Sequence, residues 1–276
     1  HPSLELRVKE IDLDNIENLL QNLKLDRSVP PISDLFKGGT SQAVKRFDEF
    51  TRQRLMYYDD HGNQPQTDDI SHMSPYLHFG QISPLYLALK ISRVADSLKT
   101  LRDAYIEQLI VRRELAMNFT FFTPDYDAYT CIPGWAQKTL AEHEHDQRDY
   151  IYSRRQLENA ATHDAYWNAS MLEMKHTGFM HNYMRMYWGK KILEWSRTPQ
   201  KAFRTTLAIN NKYFLDGRDA NSYTGVAWIY GVHDRAWSER SIFGKTRYMA
   251  ASGLERKCDI AAYVKKVANL VKKVSK

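Results

Sequence analysis

A buried cation and its counter-charge are the first chemistry legible in this sequence. Arg185 stands one helical turn before Trp188 in the run His181-Asn182-Tyr183-Met184-Arg185-Met186-Tyr187-Trp188, which continues without Pro through Lys190, Lys191, Ile192, Leu193, Glu194 and Trp195. Met184, Tyr187, Trp188, Lys191 and Trp195 recur at helical spacing, so the run predicts a helix with a broad apolar stripe. A guanidinium buried on such a helix needs an anionic partner. The best candidate downstream is Leu215-Asp216-Gly217-Arg218-Asp219, where two carboxylates flank a Gly that lets the backbone turn tightly and approach a ligand. Trp188 and Trp195 share a helix face, with backbones roughly 10 Å apart at ~1.5 Å rise per residue. Trp167, on the preceding helix, can reach the gap between them. Three tryptophans at such positions are equally ordinary core residues, since large aromatics fill large cores.

Other polar groups invite chemistry less directly. Ser71-His72-Met73-Ser74-Pro75 and Ser83-Pro84 each place a hydroxyl before a Pro at a first helical position, so two helices are expected to start there. Hydroxyls and free N–H groups at a helix start suit phosphate as well as capping. Asn210 is polar on a face shared with Phe203, Leu207 and Tyr213, and calls for a partner. Glu142-His143-Glu144-His145-Asp146 has the residue types of a metal site. His143 and His145 diverge on a helix, however, so a solvated helix end is expected and no metal site.

These groups must be carried by helices. Residues 1–40 read as a connecting segment, with a short helix near Ile11 to Leu23 and breaks at Pro30-Pro31 and Gly38-Gly39. Ser41 is placed to cap a helix through Val44, Phe47, Phe50 and Leu55, ending at Tyr57-Tyr58. Leu101 to Phe122 predicts a helix ended by Thr123-Pro124. The stretch from Asp125 to Tyr152 reads as loop-rich, anchored by Pro133-Gly134-Trp135. Thr162 is the expected cap of the helix that carries Trp167, Asn168, Met171, Leu172 and Met174, with Gly178 ending it. Thr198-Pro199 starts a helix through Tyr213, and Asp259 caps a last helix striped by Ile260, Val264, Val267, Leu270 and Val271. No stretch alternates like a strand, so the expected fold is all-α, with 41–276 as one helical domain.

Composition bounds the function. In 276 residues, 43% are hydrophobic, and no apolar run approaches the ~18 residues of a membrane span. The polar opening His1-Pro2-Ser3 shows no signal peptide, and two cysteines, Cys131 and Cys258, give no disulfide framework. An intracellular soluble protein is expected, cytoplasmic if the source is prokaryotic, with no membrane partner. Lys and Arg total 39 against 33 acids, a net charge of +6 that is weak support for a polyanionic partner. The excess concentrates from Lys245 onward.

Taken together, Met180-His181-Asn182, Arg185-Met186 and Leu215-Asp216-Gly217-Arg218-Asp219 resemble the flavin-binding core of the photolyase and cryptochrome superfamily. Thr162-His163-Asp164, Trp167-Asn168-Ala169, Tyr187-Trp188, Lys190 to Trp195 and Asn221-Ser222-Tyr223 narrow the resemblance to class II cyclobutane pyrimidine dimer photolyases. It spans roughly Tyr57 to the C-terminus, with the motifs in the right order. The resemblance implies an FAD-binding helical domain whose usual preceding α/β antenna domain is absent from this chain, so no antenna chromophore is expected. It implies light-driven repair of cyclobutane pyrimidine dimers in double-stranded DNA by a monomer.

The resemblance also assigns residues. Tyr58, Ser71, His72, Met73, Ser74, Asn182, Arg185, Asn210, Asp216 and Asp219 match FAD contacts, with Asn210 facing the reactive N5 edge and tuning the redox states. Gln108 falls where relatives place an acidic residue against the dimer. A Gln keeps an acceptor but supplies no negative charge. Met186 and Trp228 match walls of the lesion cavity, and Arg235, Trp237, Lys245 and Arg247 match the surface that grips DNA phosphates and fills the hole left by the flipped lesion. Electrons are implied to pass from an exposed Trp195 through Trp167 to Trp188. Gly62 stands where relatives often carry Arg, and the loop after Trp228 is one residue shorter than in some of them. A cryptochrome-like photoreceptor without repair activity is the competing expectation, favoured by Gln108.

Overall fold

Residues 14–32 and 35–274 are described by the structure, a computed structural model. Contacts divide the chain into two compact units, 1–31 and 32–276. In the first, helix α1 (Ile16–Gln21) starts at Asn15, whose side chain accepts the Asn18 N–H. The expected helix near Ile11–Leu23 therefore lies partly outside the described residues.

The regular elements of the second unit are all helices, and its only β feature among the described residues is one isolated antiparallel bridge, Arg240 to Gly244. Its first half comprises α2 (Thr40–Glu49), α3 (Ser74–His78), α4 (Pro84–Ile91), α5 (Lys99–Ile106) and α6 (Arg113–Phe122). They enclose a core of Phe47, Phe50, Leu55, Met73, Tyr76, Leu87, Ile91, Tyr105 and Leu109. Ser83 accepts the Tyr86 N–H as expected, whereas Ser74 lies inside α3 and α2 starts at Gly39 without a side-chain cap. Neither Ser41 nor Ser74 is thus a cap, because each helix begins one residue or more before the hydroxyl can face it.

The predicted continuous helix over 101–122 is interrupted. Glu107–Arg112 forms a π-helical turn between α5 and α6, and Phe50–Arg54 forms another after α2. No residue pattern announces such turns, and they are frequent at functional sites.

The second half begins with α7 (Gly134–Glu142), a true helix where a loop anchored by Pro133 was expected. Helix α8 (Arg154–Glu158) follows, opened by a Ser153–Gln156 capping box. Helix α9 (Ala165–Thr177) is capped by Asp164 rather than Thr162, since the carboxylate reaches the N–H groups of both Tyr166 and Trp167. The Thr162 hydroxyl instead bonds Asn168 and accepts the Asp164 N–H. Gly178 ends α9 at φ 65°, where an added Cβ would collide with Ile32 and Leu215.

Helix α10 (Asn182–Glu194) is the centre of this half. It packs against α9, α11 (Pro199–Tyr213) and α12 (Ala220–Ile229). Its residues from Tyr187 to Leu193 are all buried, so the expected stripe is in fact a helix enclosed on nearly every side. Gly189 permits the approach of α12, for a Cβ there would lie 2.1 Å from Ile229 Cδ1. Each large apolar side chain removed from water contributes roughly 1.5–3 kcal/mol. Helices α13 (Ala251–Lys257) and α14 (Ile260–Val274) complete the chain, and Asp259 accepts the Ala262 N–H as predicted. The buried Glu173 carboxylate on α9 accepts from Tyr263 on α14 at 2.6 Å. Among the described residues no helix is long and apolar enough to cross a membrane.

Candidate functional site

His181 starts α10 by accepting the Tyr183 N–H on Nδ1. Burial, then the nearby Lys266, pushes its pKa down to about 4, which keeps the ring neutral and able to accept. One turn on, the Arg185 guanidinium donates through Nη2 to both Asp216 oxygens at 2.9 and 3.0 Å, and through Nε to the Met180 carbonyl at 3.2 Å. The predicted ion pair therefore forms. Its aromatic neighbour differs from expectation: Arg185 Cζ lies 3.8 Å from the Phe214 ring centre, and Phe214 in turn meets Trp188 at 6.3 Å. The two charged side chains keep 22% and 11% exposure beside a helix whose next turns are sealed, so a guest can reach them.

Gly217 makes the tight turn its sequence suggested. An added Cβ would meet the carbonyls of Phe214 and Asn210 at 2.9 and 3.0 Å, so the Gly lets the loop press on the end of α11. Arg218 takes the left-handed conformation instead, at φ 68°. Asn210 is buried and donates to Ser222 Oγ at 2.6 Å and to Asn211 Oδ1 at 2.9 Å. Its amide nitrogen is thereby oriented by two protein acceptors.

The other predicted contacts approach from the first half. His78 Nδ1 lies 3.2 Å from Asp219 Oδ2, joining α3 to the start of α12. His72 bonds Asp68 through Nε2 at 2.7 Å and packs edge-on against Phe179 at 4.8 Å, which brings the Ser71–Ser74 loop to the α9–α10 turn. Met73 is committed to the core, leaving its backbone to meet a guest, while Ser74 and Asn182 are exposed. Tyr58 packs against Phe50 and Tyr105, and burial with Asp59 pushes its pKa up to about 12.

Trp167 and Trp188 are joined by a hydrogen bond from the Trp167 indole N–H to the Trp188 carbonyl, 2.9 Å. The Trp167 and Trp195 rings stand 5.5 Å apart. Trp195 is not exposed as expected but 2% accessible, because Tyr152 and His163 cover it at 5.3 Å each. Tyr150 stacks on His163 at 3.7 Å and is itself exposed.

A third region surrounds Trp228. Arg112, paired with Glu107 at 3.4 Å across the π-helical turn, places its guanidinium 5.6 Å from the Trp228 ring, and His233 meets that ring at 5.5 Å. Gln108 is exposed on the same turn, and Met186 is half-buried on α10. Sequence reasoning missed Arg112 and His233, since nothing in their spacing points to Trp228. A fourth region, the loop 234–247, displays Trp237 between Arg235 and Arg247, whose guanidiniums lie 5.3 and 5.4 Å from its ring. Lys245 accompanies them, exposed.

An open cavity of about 540 Å³ adjoins the Asp216–Asp219 loop, lined by Met117, Phe121, Tyr126, Arg218 and Tyr223 among others, but not by Arg185 or Trp188. The donor set around Arg185 suits a flavin dinucleotide better than that cavity does. A guanidinium, an oriented carboxamide and hydroxyls offer partners to a ring edge and to phosphates. Among the described residues, the buried Trp188 Nε1 and His72 Nδ1 have no hydrogen-bond partner, as groups facing a polar guest would.

No family model matches the chain. It is 48% identical over 269 residues to a deoxyribodipyrimidine photo-lyase of Methanothermobacter thermautotrophicus, covering 96% of this chain and 59% of that protein. Proteins of the same name from Oryza sativa (47% over 249 residues, 88% and 49% covered) and Potorous tridactylus (42% over 251 residues, 89% and 46% covered) are also similar. The chain thus spans about half the length of the curated relatives it matches. In fold it resembles a bacterial class III photolyase from Agrobacterium tumefaciens, with TM-score 0.70 at 19% identity over 96% of this chain and 51% of that one. It also resembles a Synechocystis cryptochrome, with TM-score 0.59 at 18% identity over 92% and 53%.

Proposed function

Taking the chain as a member of the photolyase/cryptochrome superfamily, in its C-terminal-type portion, we propose that it repairs cyclobutane pyrimidine dimers in DNA, with the residue set of the class II enzymes. The observation that carries this is the Arg185–Asp216 pair laid against Phe214, with Trp188, Trp167 and Trp195 in succession behind it. FAD held by these residues would supply a photoexcited electron to the dimer and would take it back once the cyclobutane ring had opened, with no net change in oxidation state.

The chain's own groups do the rest. Arg185 would offer its remaining N–H donors to the cofactor, and Asp216 holds that guanidinium in place. Asn210, with its amide nitrogen committed to Ser222 and Asn211, would present its Oδ1 to the same guest, and the loop Ser71–Ser74 with Tyr58 and His78–Asp219 would take the phosphate and ribose side. Trp188, Trp167 and Trp195 relay electrons inward. Since Trp195 is covered, the relay reaches solvent through Tyr152, His163 and Tyr150. Gln108, Met186 and Trp228 receive the flipped lesion, which unstacks at a cost of only a few kcal/mol. Arg235, Lys245 and Arg247 bind phosphates, and Trp237 enters the gap in the duplex.

The test is to illuminate the chain, loaded with FAD and reduced, together with an oligonucleotide holding one thymine dimer. Recovery of thymine absorbance supports repair. A photoreducible flavin with no recovery supports the receptor reading, which the neutral Gln108 favours. Trp167→Phe is expected to slow photoreduction at least tenfold, read as the rate of flavin bleaching, while repair by chemically reduced protein is retained.

A further inference from the structure

The loop that displays Trp237 is fastened from behind. His143, at the end of α7, faces Asp146 with Nδ1 at 2.6 Å and Glu239 on the loop with Nε2 at 3.0 Å. Asp146 accepts in addition from the Ile242 N–H at 2.7 Å and the Ser241 hydroxyl at 3.1 Å. Thr139 of α7 accepts the Lys245 N–H at 3.0 Å. Glu239 is therefore held by His143 and lies 3.8 Å from Lys245 Nζ. The expected solvated end of α7 is instead one half of a joint.

The backbone of the loop depends on that joint. Ile242 is β-branched yet adopts φ 70°, an outlier that persists only where surroundings enforce it. The enforcing contact is its N–H bond to Asp146. Gly244, at φ 52°, presses against Thr139 and His143, and a Cβ there would lie 2.2 Å from Thr139 Oγ1. Paired hydrogen bonds between Arg240 and Gly244 close the turn, and the Trp237 N–H bonds the Lys245 carbonyl at 2.8 Å. The display of Trp237 and the anchorage of Ile242 thus belong to one short structure.

We propose that His143 and Asp146 are positioning residues that clamp the 234–247 loop to α7 in the pose in which Trp237, Arg235 and Arg247 meet DNA. The proposal rests on the DNA-binding reading given above. With both ring nitrogens facing carboxylates, the clamp is complete when the imidazole is protonated and donates twice. The charged groups around it are Asp146 and Glu239 directly, Lys245 behind Glu239, and Arg148, which donates to the carbonyls of Glu144 and Asp146. Hydrogen bonds to Glu239 and then Asp146 raise the His143 pKa above its ordinary value. The clamp is accordingly whole below the unfolded value of ~6.5 and is lost as pH rises through the raised one.

The test uses the full chain as wild type, H143A and H143Q. Amide exchange protection at Ile242, Gly244 and Lys245 is measured beside the affinity for a duplex holding a thymine dimer, from pH 6 to 9 (the range bracketing histidine titration, roughly). In wild type, protection and affinity are expected to fall together as pH rises. H143A is expected to lose about tenfold in both at low pH, with α10 amides unchanged, and H143Q to give a flat pH profile. Equal protection in wild type and H143A would overturn the clamp. Lost protection with unchanged affinity would overturn its role toward DNA. A wild type that binds no duplex, while its protection still follows pH, would refute the DNA-binding reading and leave the joint itself standing.

Discussion

Two regions of this molecule lay arginine on an aromatic ring, and they do opposite things with the charge. At the centre, Arg185 covers Phe214 and spends its positive charge on Asp216, with both side chains largely withdrawn from water. At the surface, Arg235 and Arg247 flank the exposed Trp237, and neither guanidinium has a carboxylate at ion-pair distance among the described residues. The first arrangement is neutral and rigid, because a buried guanidinium without its partner would be costly. The second leaves two cations over an apolar ring, which suits a polyanion with separated bases. Identical side-chain chemistry thus gives a charge-balanced, nearly closed pair in one region and an open, unpaired cluster in the other, according to where the counter-ion is.

The comparison can be broken at either end. Asp216→Ala strands the Arg185 charge and is expected to cost about 3 kcal/mol of unfolding free energy, measured by urea titration. Trp237→Ala, on the surface, is expected to stay within about 0.5 kcal/mol. Similar losses in the two variants would show that the regions do not differ as described.

A buried charge also answers to protons. Lys190 is fully buried against the Ile229 carbonyl, and burial pushes its pKa down to about 7. Between that value and the ordinary one near 10.5, the unfolded chain binds more protons, so stability rises with pH across this window. The wild type is expected to gain about 2 kcal/mol from pH 7 to 9, measured by urea titration at each pH. Lys190→Met should remove that gain. The surface answers to salt instead. Arg235→Ala and Arg247→Ala are each expected to reduce the slope of log affinity against log salt by about 0.9, with a loss of roughly 1 kcal/mol in duplex binding at low salt. An unchanged slope would remove that Arg from the phosphate contacts.

The same contrast governs what could be read before the structure. Arg185–Asp216 was legible because burial on an apolar helix forces a cation to find a carboxylate, and few loops offered one. A spacing of seven and a neighbouring helix showed that Trp167 could bridge Trp188 and Trp195, whereas their order as a relay came only from the resemblance. Trp195 was misplaced because helical spacing says nothing of Tyr152 and His163, which cover it from another segment. Asp164 and Thr162 are both competent caps, and only geometry decides between them. A helix end was expected at Glu142–Asp146, but the start of α7 was missed because Pro133-Gly134 reads as a break, although Pro also stands at helix starts. The His143–Glu239 contact joins residues 96 apart in sequence, beyond the reach of any local pattern.

The π-helical turn at Glu107–Arg112 inserts a wider step into an otherwise regular spiral. The parts before and after it therefore obey two separate helical wheels. A relative that lacked one residue within this turn could still superpose on both flanks, its spiral wound evenly and its loops undisturbed. Side chains compared by counting alone would then slip by one position in the stretch that faces Trp228. Which carboxylate or amide lies nearest Trp228 is set by the winding of the helix as much as by the letter written at each place.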